Sequence, residues 1–129
     1  MATRTTTTTG AALLIDDLAR STVTIGSLLT INGGAILQTT HAGKHVNSII
    51  GGTLTSGLLN TDGITADLII HNWNPLRPFE ISSVIADNAA AGRTVNFVQT
   101  GDGTTVLSGA NTYTGTTYVH GGVLRLDSA

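Results

Sequence analysis

Residues 101–126 read GDGTTVLSGANTYTGTTYVHGGVLRL, a stretch in which short runs of β-branched and apolar residues end at glycines. Its last unit, two glycines followed by an alternating strand at Gly121–Leu126, also occurs at Gly33–Gln38 and Gly51–Thr55. The first two units begin 18 residues apart, and the third begins 70 residues later, roughly three to four further periods of about 20. Units that recur at such a period stack on one another, because none of them buries its apolar face alone. The pattern therefore predicts a β-solenoid.

Further short strands are predicted between these units, each flanked by turn residues. A sandwich or an up-and-down barrel made of such strands would need hairpin dipeptides of the Asn-Gly or Asp-Gly type. Asp62-Gly63 is the clearest of the few candidates, which favours a chain that turns corners over one that reverses direction. The predicted strands are Thr22–Ile25, Leu28–Ile31, Val46–Ile50, Asp67–His71, Phe79–Ile85, Thr94–Gln99, Thr104–Leu107 and Thr116–His120.

The composition points to the same fold class. Only 11% of the 129 residues are charged, and Lys44 is the single lysine. Threonine, glycine, asparagine and serine take the place of the charged helix formers that a soluble helical protein carries on its surface. β-Branched residues suit a pleated surface, whereas glycine and asparagine suit tight turns. Composition indicates an all-β protein, and the length suits a single domain over residues 1–129.

Charge and hydropathy argue against two classes of partner. The net charge is −2, and the basic residues are scattered rather than gathered on one face, so we expect no nucleic-acid partner. No apolar run is long enough for a membrane-spanning helix, so we expect no membrane insertion by this segment. Cysteine is absent, which excludes a disulfide framework and a thiolate metal site but leaves the compartment open. The basic residues are Arg4, Arg20, Lys44, Arg77, Arg93 and Arg125.

The middle of the opening stretch resembles the autotransporter-associated β-strand repeat, also called the passenger-associated transport repeat. The most specific part of the likeness is Leu107-Ser108-Gly109-Ala110-Asn111-Thr112-Tyr113-Thr114-Gly115. The likeness is good over residues 80–127, and the repeat itself spans 101–127. The first 60 residues are similar to the family only in general character. It implies a right-handed parallel β-helix, and at about 20 residues per turn the chain would form about six coils. The motif residues are Gly109, Asn111, Tyr113, Gly115, Gly121 and Gly122.

In such a solenoid the motif glycines occupy corners, where a φ above zero or the missing Cβ lets the chain turn. Asn111 tolerates the left-handed region, and its side-chain amide is available to bond with the backbone or with an asparagine of the next turn. Successive faces would receive their inward side chains from apolar residues of the repeat. These are Val106 and Leu107, then Tyr118 and Val119, then Val123, Leu124 and Leu126.

The resemblance implies a structural module of a bacterial surface fibre or autotransporter passenger, located outside the cell or at its surface, without a cofactor. The chain lacks the signal peptide and the translocator of complete family members, so we expect a module of a larger passenger or a stand-alone protein built from one. An open solenoid end exposes unpaired strands, so we expect adjoining coils of a parent chain, or a second copy stacked head to tail into a filament. The alternative is an adhesin fragment that binds a glycan.

No arrangement of polar residues gives a convincing catalytic or metal site. Asp67 and Glu80 begin predicted strands and could face each other on neighbouring coils, as a glycosidase pair would. Basic and aromatic residues for a sugar platform are too few, so we expect no enzyme. His41 and His45 are four residues apart, but Gly43 lies between them in a predicted loop, so we expect no metal there.

The segment 71–79 interrupts the solenoid pattern. It holds both prolines, which remove backbone donors and favour extended geometry before them. We expect a protruding loop there, with Trp73, Arg77 and Phe79 as candidate interaction residues, because tryptophan and arginine are common at interaction surfaces.

Residues 1–20 are expected to form a leader, a cap or the first coil. The apolar spacing of residues 11–19 is compatible with a short capping helix that starts after Thr9. The neighbouring threonines and β-branched residues favour a strand instead. The run Thr5–Thr9 is expected to be an edge strand or a flexible leader.

Overall fold

A computed structural model describes residues 2–6, 9–16, 21–40, 45–57 and 59–127. This part of the chain is built of short strands, with a 3-10 turn at Ala89–Ala91 that Asn88 caps. No helix among the described residues is long and apolar enough to cross a membrane. The strands are β1 (Ala2–Thr6), β2 (Thr9–Ile15), β3 (Ser21–Ile25), β4 (Leu28–Gln38), β5 (Asn47–Ile50), β6 (Thr53–Ser56), β7 (Thr65–Asn72), β8 (Phe79–Ile81), β9 (Val84–Ile85), β10 (Thr94–Thr100), β11 (Thr104–Leu107), β12 (Thr117–Val119) and β13 (Val123–Leu126).

The strands form two sheets whose neighbours are all parallel. Sheet A has the order β1-β3-β5-β8-β11-β13, so the chain returns to it once in every turn. Sheet B has the order β12-β10-β7-β4-β6-β9, with β2 also paired to β4. Parallel strands cannot be joined by tight hairpins, and here the rest of each turn supplies the connection. Parallel ladders of successive turns are the arrangement of a β-solenoid, as the glycine-bounded units predict.

Sheet B bends into two faces at the middle of β4. The first half of β4, Leu28–Ile31, pairs with β6, and β6 pairs with β9; we call this side face 2. The second half, Ala35–Gln38, pairs with β7, and β10 and β12 follow; we call this side face 3. With sheet A, the chain therefore has three walls around one interior.

The length of a turn varies along the molecule. Cα partners in sheet A are separated by 19, 26, 32, 26 and 19 residues from β1 to β13. The period of about 20 expected from the glycine units thus describes the two end pairs. Longer connections after β4, β6, β7 and β9 lengthen the turns in the middle.

The core is a set of apolar columns that run through the stacked turns. Burial alternates along β7 and β10, so every second side chain points inward. In sheet A, Ile49 lies opposite Ile81 and Ile81 lies opposite Leu107, all three fully buried. Burying one such side chain contributes about 1.5–3 kcal/mol, so the columns hold neighbouring turns together.

The predicted strands are present, with two differences in detail. Phe79–Ile85 is divided into β8 and β9, because the chain turns from sheet A to face 2 at Ser82 and Ser83. Leu28–Ile31 continues through Gly33 and Gly34 into one long strand.

The N-terminal segment is strand and not helix as far as Ile15. Leu13 lies opposite Ile36 and Ile15 opposite Gln38 in a parallel pair with β4, which buries Ile15. Burial against β4 therefore decides against the capping helix, and residues 17–20 lie outside the described part. Of the threonine run, Thr5 and Thr6 belong to β1 at the edge of sheet A and Thr9 begins β2, whereas residues 7 and 8 lie outside the described part.

Candidate functional site

The glycines of the C-terminal repeat lie where the chain passes very close to the preceding turn. A Cβ added to Gly109 would lie 2.3 Å from the carbonyl oxygen of Ser83. One added to Gly115 would lie 2.2 Å from the carbonyl oxygen of Val95. No side chain fits at these distances, so the glycines allow the repeat to pack onto the turn beneath it.

Asn111 joins the repeat to face 2 although its own segment is not a strand. Its Oδ1 accepts a hydrogen bond of 2.9 Å from the Ile85 amide. The amides of Thr112 and Tyr113 donate to the Ile85 carbonyl oxygen at 2.9 and 3.1 Å. The side chain of Asn111 therefore bonds to the backbone of a neighbouring turn as an acceptor, and this bond ties residues 111–113 onto the end of β9.

Asp87 fixes the same segment from the other side, a role that no sequence pattern indicated. Its Oδ1 accepts from the amides of Val95 and Thr114 at 2.9 Å, and its Oδ2 accepts from the Thr114 hydroxyl at 2.6 Å. Burial alone would raise the pKa of Asp87. The bonds from the Thr114 hydroxyl and from the two amides outweigh it, so the pKa lies below the ordinary 3.8.

The last turn of the repeat leaves apolar side chains uncovered. Val119 lies opposite Gln99, and Leu126 lies opposite the fully buried Leu107, so both occupy inward positions. They are nevertheless 52% and 63% exposed, because β12 and β13 are the edge strands of their sheets. A cavity of about 590 Å³ opens here beside Tyr113.

Two residues expected to point inward do not. Tyr118 lies opposite Val98 on the outer side of face 3, and Val123 lies opposite Thr104 on the outer side of sheet A. The expectation was wrong for both, because the ladder register determines which face each side chain takes. Both side chains are exposed.

The loop between β7 and β8 presents Trp73, 43% exposed, together with Leu76 and Arg77, which are also exposed. Its base is anchored, since the Trp73 amide donates to the Gln38 carbonyl at 2.8 Å and buried Asn74 accepts from the Leu76 amide. Phe79 is different: it begins β8, lies between Asn47 and Thr105 in the ladder and is fully buried. The assignment of Phe79 to an interaction surface is therefore wrong, because the register turns its ring into the core.

Asp67 and Glu80 do not form a pair of facing carboxylates. Asp67 is on face 3 and Glu80 on sheet A, so the two lie on different walls of the solenoid. Among the described residues no group of three or more His, Asp or Glu side chains is placed to hold a metal ion. His45 is exposed, and His41 lies outside the described part.

A groove on the outer side of face 3 was not foreseen from the sequence. It has a volume of about 530 Å³ and crosses β7, β10 and the end of β12. Its lining combines Asp67 and Asn96 with Tyr118 and His120, whose rings are stacked with centroids 5.9 Å apart. These residues come together only because three strands far apart in sequence share one face.

Comparison with known proteins identifies the C-terminal segment. Residues 97–126 match the family model named passenger-associated-transport-repeat. The chain carries this repeat. The match covers the end of β10 and all of β11, β12 and β13, and it includes every motif glycine from Gly109 to Gly122.

Most of the chain is similar to part of a much longer protein. It is 37% identical over 111 residues to the Adhesin BmaC autotransporter of Brucella suis biovar 1 (strain 1330). The aligned region is 84% of this chain and 3% of the relative, so the repeat-bearing chain spans a small fraction of that protein. No solved structure matches the chain.

Proposed function

We propose that the chain is a rigid structural segment of an autotransporter passenger, exposed at the bacterial cell surface or outside the cell, and not an enzyme. The parallel ladders, the transport repeat and the likeness to an autotransporter adhesin support this role. We also propose that the chain forms one right-handed solenoid domain of about six coils. The separation of Asp67 and Glu80 on different walls removes the carboxylate pair that argued most for catalysis.

The single observation that carries the proposal is the uncovered C-terminal turn. Leu126 and Val119 stand in core positions, yet no described strand lies beyond them. Exposed strand edges beside exposed apolar side chains favour pairing with a further strand. We propose that adjoining coils of a longer parent chain, or a second copy stacked head to tail, cover this end.

Sedimentation velocity over a concentration series tests the stacking. We expect the chain to associate, and we expect Leu126→Lys to abolish association because a charge at the open end opposes burial. Leu76→Lys is the matched control, since Leu76 is 52% exposed but lies in the β7–β8 loop, away from the ladder ends. Electron microscopy of the associated fraction should show filaments. A monomer at every concentration would contradict the filament. The open end would then be covered by adjoining coils of a longer parent chain.

A second candidate function is adhesion through the loop that carries Trp73. Trp73, Leu76 and Arg77 are exposed on an anchored base, and tryptophan and arginine dominate binding energies at many interfaces. We expect Trp73→Ala to reduce the adherence of cells that display the segment, whereas Val123→Ala, on the outer side of sheet A, leaves it unchanged. Equal adherence of both variants would contradict this role.

A further inference from the structure

The groove on face 3 has two chemically different sides. Ile69, Val98 and Tyr118 lie opposite one another in successive turns and form an apolar row along the solenoid. Beside it, Asp67 lies opposite Asn96, and the Asn96 Oδ1 accepts from the Thr116 amide at 2.9 Å. The three turns span roughly 10 Å at the usual strand spacing, which is the length of a short oligosaccharide.

The polar side is held rigidly in place. The Asp67 Oδ1 accepts from the amide groups of Asn60 and Asn96 at 2.8 and 2.9 Å, while no described residue donates to its Oδ2. Asp62 stands on the wall of the groove, with its carboxylate bonded to the amides of Ile64 and Thr65. The groove thus offers a fixed carboxylate oxygen as an acceptor, with amide groups around it.

The aromatic side provides two accessible rings. Tyr118 in β12 and His120 directly after this strand stack on each other, with their ring planes 6° apart. Tyr118 is 42% exposed and His120 is exposed, so both rings are accessible. Parallel rings next to fixed acceptors suit a ligand with apolar C–H faces and a rim of hydroxyl groups.

We infer that this groove binds a neutral carbohydrate chain lying along the solenoid axis. Hydroxyl groups would donate to Asp67, and the sugar faces would stack on Tyr118 and His120. A phosphorylated or sulfated ligand is disfavoured, because Asp62 and Asp67 repel it and none of the described lining residues is Lys or Arg. No residue of the Trp73 loop lines the groove, and its residues point to the outer side of face 3 whereas Val119 and Leu126 of the open end occupy inward positions, so the site goes beyond both proposed roles.

Binding of the purified chain to a printed panel of neutral oligosaccharides tests the inference, with galactose, glucose, mannose and N-acetylglucosamine units represented. We expect binding to at least one member, weakened about tenfold by Tyr118→Ala and by Asp67→Asn. Trp73→Ala is the matched aromatic control, since Trp73 and Tyr118 are almost equally exposed, and Glu80→Gln is the matched carboxylate control. Both controls should bind as the unchanged chain does, and circular dichroism should show all four variants folded.

Three results would overturn the inference. They are binding to no member of the panel, loss of binding in Trp73→Ala but not in Tyr118→Ala, and binding that disappears in about 0.5 M NaCl. The last would show that binding depends on charge and not on hydroxyl groups and ring faces. The sedimentation experiment with Leu126→Lys measures association and not carbohydrate binding. A negative result on the oligosaccharide panel would therefore not contradict the proposed structural role.

Discussion

Buried amide side chains link successive turns of the solenoid at the corner between face 3 and sheet A. Asn47 donates to Gln38, and Gln38 donates to Asn72, both at 2.9 Å. Asn72 in turn donates to the Thr104 carbonyl oxygen at 2.9 Å. All three amides are fully buried, so each bond avoids the cost of leaving a polar group without a partner. The chain of bonds therefore fixes which residues of neighbouring turns meet.

Replacing Asn72 with Leu should lower the free energy of unfolding by about 2–4 kcal/mol, because it leaves the Gln38 amide group and the Thr104 carbonyl unpaired in the core. Urea unfolding followed by circular dichroism measures the change. His71→Ala, one residue earlier but on the outer face, should stay within about 0.5 kcal/mol. Similar losses in the two variants would show that the amide bonds contribute nothing specific.

Asp87 makes stability depend on pH in acid. Its pKa is lowered in the folded chain, so its contribution is fully present above the unfolded value near 3.8 and disappears as the pH falls through the folded value. We expect Tm to fall below about pH 4.5, and to fall less steeply in Asp87→Asn, which keeps the acceptor oxygen without the charge. Parallel Tm profiles of the two proteins between pH 6 and 3 would contradict this.

At the scale of elements, the connections between strands tolerate change unequally. Gly101 follows β10 with φ +94°, and a Cβ there would lie 2.2 Å from the Asn72 carbonyl oxygen. Gly63, in the connection between β6 and β7, also has a positive φ, +73°, but a Cβ there would meet nothing within 4 Å. Corners that pack on the turn beneath are therefore constrained by sterics as well as by backbone conformation.

Gly101→Ala should cost more than about 3 kcal/mol or prevent folding, because the clash is with backbone and cannot relax by a rotamer change. Gly63→Ala should cost only about 1–2 kcal/mol, the usual penalty of a left-handed residue. Urea unfolding of the two variants gives the comparison. If Gly63→Ala were the more harmful change, close packing of the corners would not be what selects glycine.

For the whole molecule, stability should decrease from the middle towards both ends. β5, β7, β8 and β10 have ladder partners on both sides, whereas β1, β12 and β13 have one. In stacked-turn proteins each turn is stabilised by its immediate neighbours, and edge turns open at lower free energy. The uncovered Val119 and Leu126 belong to such an edge turn.

Hydrogen exchange followed by mass spectrometry should show this gradient. We expect peptides from β12 and β13 to exchange fastest, and peptides from β7, β8 and β10 to exchange only through global unfolding. Association at high concentration should slow exchange in β13 more than in β8, since it covers the open end. Uniform protection along the chain would mean that the molecule unfolds as one unit.

Local pattern alone determined the all-β class, the parallel solenoid and most strand positions. Strands such as Thr104–Leu107 were predicted at their observed bounds, because a short alternating run between glycines needs no distant contact to be recognised. The repeat between Leu107 and Gly115 was recognisable for the same reason.

Only the tertiary structure decided which residues meet. Gln38 and Asn72 are 34 residues apart, and their contact depends on how long each intervening connection is. A shift of one position would exchange inward and outward side chains, which is why Phe79 proved buried and Tyr118 exposed. The groove beside Asp67 and the unequal turn lengths also depend on the lengths of the connections between strands. Alternation is a property of each strand, whereas register is a property of the stacked turns.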